Sequence, residues 1–153
     1  MYFINLLVLV IGMAICHLLC LTYIGVTKKV KAIIIPIILL SIVAFISRAI
    51  LNASYQVNTI VILFTNMILV KTFNSEISWI VSATGSLLNQ LTFELVGLMV
   101  PFLNYKLGIN PIIEHNTWGW VYLNLAEYTV PLFVLIILKV KKISLFRYLQ
   151  KSE

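Results

Sequence analysis

The chain has 153 residues, a formal net charge of +6, 61% hydrophobic residues and only 10% charged ones. At a mean hydropathy of +1.06 it carries too few polar groups to cover a water-soluble core, which excludes a soluble domain and any folded basic surface for nucleic acid. The expected fold class is all-α: a polytopic integral protein of a cell membrane, multi-pass, of the bacterial plasma-membrane kind.

The first apolar run, Tyr2 to Val26, has no basic residue before it and no small-residue cleavage pattern after it, and it is too long for a signal-peptide core. It reads as a spanning helix. Four more apolar segments follow, at 32–51, 57–73, 78–103 and 118–140. Five transmembrane helices are therefore expected within a single domain, 1–140, followed by a basic tail, 141–153. Roughly 20 residues cross ~30 Å of hydrocarbon, so the segment 57–73 is expected to be the shortest span, tilted or shielded from lipid.

Charge placement orients the bundle. Lys28, Lys29 and Lys31 lie between helices one and two, Lys71 ends helix three, and Lys139, Lys141, Lys142, Arg147 and Lys151 close or follow helix five. The positive-inside rule puts these on the cytoplasmic side, against only Arg48 and Lys106. The N-terminus is then outside and the C-terminus inside, with Tyr105, Trp118 and Trp120 at the outer interface and Trp79 at the inner one. The segment 104–117, with Gly108 and Pro111, is expected to be the sizeable outer loop, suited to an external contact. In the tail, Ile143, Leu145, Phe146 and Leu149 are spaced for a short amphipathic helix on an anionic leaflet, chiefly as an orientation anchor.

Two of the five acidic residues, Glu94 and Glu127, fall inside apolar segments, where an ionisable group costs roughly 2.5 to 3.5 kcal/mol on insertion scales and marks a candidate site. Counting from the outer ends of helices four and five places both roughly 13 to 14 Å deep. Arg48, near the outer end of helix two, can reach inward toward them or snorkel outward. Helix four carries Ser82, Ser86, Gln90 and Glu94 at four-residue intervals, with Asn89 beside them. Helix five adds Asn124, Glu127, Tyr128 and Pro131, the last freeing a backbone carbonyl near 127. The expectation is an outward-opening polar pocket between helices two, four and five, with Arg48, Gln90, Glu94, Asn124, Glu127 and Tyr128 as ligand-binding residues. Two facing carboxylates cannot both stay ionised in low dielectric unless Arg48 or a bound cation compensates. The competing reading is that these polar groups, with Gly85 and Gly97, only join helices.

Cys16, His17 and Cys20 cluster on helix one, but a metal site needs ligands that are not nearby, so packing is expected and no metal or cofactor is assigned. His115, beside Glu114, reads as a solvated loop residue. Asn52-Ala53-Ser54 matches a glycosylation triplet, a short pattern common by chance. No nucleophile and base pair can be assembled, so an enzyme is not expected.

The run Phe45-Ile46-Ser47-Arg48 ending helix two, the outer turn leading to Asn58-Thr59-Ile60-Val61, the inner turn from Lys71 to Trp79, and a long polar-striped helix with Glu94 in its outer half together resemble the N-terminal multi-helix membrane sensor region of Gram-positive GHKL-type histidine kinases, the pheromone-receptor group. The resemblance implies sensing of an outside ligand, a small molecule or peptide. The sequence ends at Glu153, with neither a phospho-accepting helix nor an ATP-binding domain, so the expectation is a sensor-like, ligand-binding module that acts through a protein partner on the cytoplasmic side or in the membrane. The alternative is the membrane subunit of a small-molecule transport system, similar to the substrate-binding components of vitamin importers.

Overall fold

The computed structural model describes residues 2–26, 30–108 and 118–144. Among them the fold is all-helical: α1 (Tyr2–Ile24), α2 (Lys31–Phe45), α3 (Tyr55–Phe73), α4 (Trp79–Lys106) and α5 (Gly119–Val140). These provide five segments long and apolar enough to cross a membrane. Each helix runs antiparallel to the one before it, so one end of the bundle, here the upper, gathers the start of α1, the α2–α3 turn and the start of α5. The lower end gathers Ile24, the α3–α4 turn and Val140.

Helices α1, α2, α3 and α4 pack as a closed four-membered ring of neighbours, and α5 lies along the seam between α1 and α4. This makes α1 the most enclosed helix, and the sequence explains why: from Tyr2 to Ile24 it carries no charged residue, and a helix apolar all round is tolerated at the centre of a bundle. Leu19 and Cys20 are fully buried. Two contiguous apolar clusters join α1 to its neighbours, one around Cys16, Leu40, Ala44, Ile62 and Leu69 and one around Cys20, Leu21, Ile24 and Val70.

The distribution of polarity is inverted relative to a water-soluble bundle. Ile34, Ile38, Ile42, Leu91, Leu95, Leu98 and Phe133 are exposed, while His17, Asn58, Asn66, Ser82, Ser86 and Asn89 are buried. Amides and hydroxyls in the centre and Ile, Leu and Phe outside are what a solvent of lipid tails selects.

Three element boundaries differ from those read off the sequence. α3 starts at Tyr55 and has 19 residues, because Ser54 caps it by accepting a hydrogen bond from the Val57 N–H at 3.4 Å, a cap the apolar count passes over. α4 continues through Pro101 to Lys106, so Asn104 to Lys106, expected in the outer loop, belong to the helix. α2 gives way at Ile46–Ile50 to a π turn, with the Leu51 N–H bonded to the Ile46 carbonyl at 3.0 Å. One inserted residue rotates the downstream side chains about the helix axis by about 100°.

Several expectations lie outside the described residues: Lys28 and Lys29, the loop stretch 109–117 with Glu114 and His115, and the tail 145–153 with its amphipathic spacing. The side chains of Lys31 and Trp120 are likewise outside the description. Trp79 is exposed at the lower end, and Tyr105 and Trp118 are exposed at the upper end.

Candidate functional site

The polar stripe of α4 divides into two halves with different partners. In the lower half, Ser82 Oγ donates to the Met67 carbonyl of α3 at 2.7 Å, Ser86 Oγ lies 3.6 Å from Cys20 Sγ of α1, and Asn89 Nδ2 donates to Cys16 Sγ at 2.9 Å. These groups are fully buried, and they join helices. Gly85 sits among them because a Cβ there would come within 2.5 Å of Ile24. Beside them on α1, His17 Nδ1 hydrogen-bonds Asn66 Oδ1 of α3 at 2.9 Å. Cys16 and Cys20 thus bond to α4 and His17 to α3, and the described residues hold no group of three metal-ligating side chains.

In the upper half the stripe opens onto a cavity of about 80 Å³. Arg48, Gln90, Asn124, Glu127 and Tyr128, five of the six residues picked out from the sequence, line it. Glu94 stands directly behind the wall. Its Oε1 accepts hydrogen bonds from Gln90 Nε2 at 2.9 Å, from Tyr55 OH at 3.2 Å and from Thr59 Oγ1 at 3.3 Å, and all three donors line the cavity.

The expected walls, helices two, four and five, are incomplete. α3 supplies Tyr55, Asn58, Thr59 and Ile62, and α1 supplies Leu9, Met13 and Cys16, so α1, α3, α4, α5 and the π turn that ends α2 enclose the space. A sequence signal for α3 existed: Asn58, Ile62 and Asn66 recur every four residues, the same kind of column that marks α4. The contribution of α1 had no polar signature beyond Cys16.

Packing fixes the level of the two carboxylates. The rings of Phe93 and Tyr128 meet edge-on with centroids 6.3 Å apart, which sets residue 94 of α4 beside residue 127 of α5 although α4 extends past its expected end. On its other side Tyr128 rests on Gly12 of α1, where a Cβ would lie 2.5 Å from both Cζ and Oη of the ring. The charges of Arg48 and Glu94 both act on Glu127, through space, since among the described residues no direct ion pair joins Arg48 to either carboxylate. Arg48 is exposed and reaches the cavity from the π turn, at its mouth. Two carboxyl groups and one guanidinium share the region, so a bound cation is what would let both carboxyls stay ionised.

Below the cavity, polar groups continue down the centre. Asn58 Oδ1 and Asn89 Oδ1 are buried with no hydrogen-bond partner, Asn66 and His17 lie further down, and Asn58 and Cys16 belong to the cavity wall itself. At the lower turn Lys71 Nζ donates to the carbonyls of Ser75 and Ile77, both at 2.6 Å, closing the α3–α4 connection.

Comparison with protein-family models, with curated proteins and with solved structures finds no match.

Proposed function

We propose that this protein is a multi-pass membrane module, N-terminus outside and C-terminus inside, that binds a small polar or cationic group from outside and conveys its occupancy to a partner protein at the cytoplasmic face. The observation that carries this reading is the cavity bounded by Arg48, Gln90, Asn124, Glu127 and Tyr128, with Glu94 behind it. Its two carboxyl groups, set against a single guanidinium, favour a cation or a hydrogen-bond donor. Its volume, against ~30 Å³ for one water molecule, suits one functional group: the amino end of a small molecule or a single side chain of a peptide.

Support for the membrane setting is the apolar exterior and the five long helices. Support for the orientation is that Lys71, Lys139, Lys141 and Lys142 all fall at the lower end, while Arg48 and Lys106 alone of the described cations fall at the upper. Support for sensing is that four helices and the π turn ending α2 contribute to the cavity wall, so an occupant bears on all of them at once, and α4 runs unbroken from the cavity to the lower turn held by Lys71. The likeness to kinase sensor regions points the same way. A second reading, the membrane subunit of a small-molecule transport system, is favoured by one observation: the column of buried polar atoms that continues inward from the cavity.

The test is purification from the membrane, followed by mass spectrometry of bound molecules and copurifying chains for the wild type and for Glu94→Gln/Glu127→Gln. A bound molecule lost in a variant that still folds supports the site. A kinase or regulator in the preparation supports sensing, and an ATPase pair supports transport. A folded double variant that keeps the same bound molecule and partner refutes the site.

A further inference from the structure

At the lower end, away from the candidate site, a larger cavity of about 380 Å³ separates the C-terminal ends of α1 and α5. Both helices finish in the same cap. In α1 the Gly25 N–H bonds the Thr22 carbonyl at 3.1 Å and the Val26 N–H bonds the Leu21 carbonyl at 3.1 Å. In α5 the Lys142 N–H bonds the Lys139 carbonyl at 3.2 Å and the Ile143 N–H bonds the Leu138 carbonyl at 3.0 Å. This cap requires a left-handed residue, usually glycine. Gly25 meets the requirement with φ 80°, but the equivalent position in α5 is Lys142, with φ 51°. A side chain tolerates that backbone poorly, so its presence invites a functional explanation. The caps stand close enough that a Cβ on Gly25 would collide with the Ser144 side chain.

Helix C-termini ordinarily attract cations, and lysines there often do no more than satisfy free carbonyls. Here the caps already bond two of the last carbonyls of each helix. Lys139 and Lys142 both line the cavity, and among the described residues no carboxylate lines it and neither ammonium has an anionic partner. Beside them Val140 and Ile137 present exposed apolar surface, 76% and 42% accessible. Two uncompensated cations at a cavity, flanked by apolar helix surface at the end of a membrane-length bundle, match one chemistry: a phosphate group whose attached chains lie along the helices.

We infer that the cavity between the caps of α1 and α5 is a binding site for the phosphate of an anionic phospholipid headgroup, held by Lys139 and Lys142. The inference rests on the membrane setting proposed above, but not on the ligand of the upper cavity.

The experiment uses the full chain in nanodiscs made from phosphatidylglycerol and phosphatidylcholine mixtures, with native mass spectrometry counting retained lipid. Wild type should retain phosphatidylglycerol preferentially, and millimolar inorganic phosphate should not displace it. Each lysine removed should weaken retention about fivefold, on the order of the surface attraction of one basic residue. Lys142→Gly is the decisive variant, because glycine suits the left-handed position: folding should hold or improve while lipid selectivity falls. Lys139→Gln should act in the same direction. If Lys142→Gly and Lys139→Gln retain phosphatidylglycerol as the wild type does, the site is refuted. If inorganic phosphate displaces the lipid and alone raises the unfolding temperature, the ligand is free phosphate and the lipid assignment is overturned. A chain that inserts in the bilayer but shows no preference between the lipids refutes this inference alone, whereas a chain that stays out of the bilayer refutes the membrane setting.

Discussion

Glu94 provides a quantitative test, because one oxygen accepts from two donors across on α3, Tyr55 and Thr59, and from Gln90 one turn earlier on α4 itself. The Gln90 bond, at 2.9 Å, has ordinary length. The two hydroxyl bonds, at 3.2 and 3.3 Å, exceed the ~2.5 to 3.0 Å usual for O–H donors, and Tyr55 is 51% exposed, so each counts for little. Hydrogen bonds between membrane helices average about 0.6 kcal/mol and reach ~1.7. Glu94→Ala, which removes the acceptor altogether, should therefore cost about 1 to 2 kcal/mol, while Glu94→Gln, which keeps a carbonyl oxygen in place, should cost under about 0.5. At ~2 to 4 °C per kcal/mol for a chain of this size, Ala should lower the unfolding temperature by roughly 2 to 8 °C and Gln by less than about 2 °C. The readout is built in: Cys16 and Cys20 are the chain's two cysteines and both are buried and free, so a thiol-reactive fluorogenic dye reports unfolding in detergent. If Glu94→Ala melts with the wild type, or if Glu94→Gln falls as far as Ala, the reasoning about this acceptor is wrong.

Gly12→Ala should destabilise by about 1 to 3 kcal/mol, because the new methyl would press on a Tyr128 ring that also packs edge-on against Phe93; Tyr128→Ala in the same chain should recover part of the loss in the same dye assay, and an unshifted single variant would contradict the packing. In the His17 and Asn66 pair, the double variant His17→Leu/Asn66→Leu should cost less than the two single variants summed, with a coupling of about 0.6 to 1.7 kcal/mol in denaturant titrations. Strict additivity would mean that the bond seen at 2.9 Å contributes nothing between α1 and α3.

Composition and period alone indicate an all-helical chain with five membrane-length segments, because apolar runs of roughly 20 residues have no other stable form in lipid. Local pattern also locates Glu94, Gln90, Asn124, Glu127 and Tyr128, since a four-residue recurrence must share a helix face whatever the fold. The antiparallel order of α4 and α5 is enough to bring 94 and 127 to similar depth. What local pattern does not carry is which faces meet. That α1, without a charge, occupies the centre and supplies Met13 and Cys16 to the cavity is a consequence of its packing against α2, α4 and α5, and α3 completes the wall because Tyr55 and Thr59 reach Glu94. The stripe on α4 could not be divided in advance into a joining half and a site half, because that depends on Cys16 and Cys20 of α1 standing opposite Asn89 and Ser86. Sequence therefore determines the helices and their polar faces, through short-range periodicity. Only tertiary packing decides which polar groups spend their hydrogen bonds on each other and which are left to face a cavity.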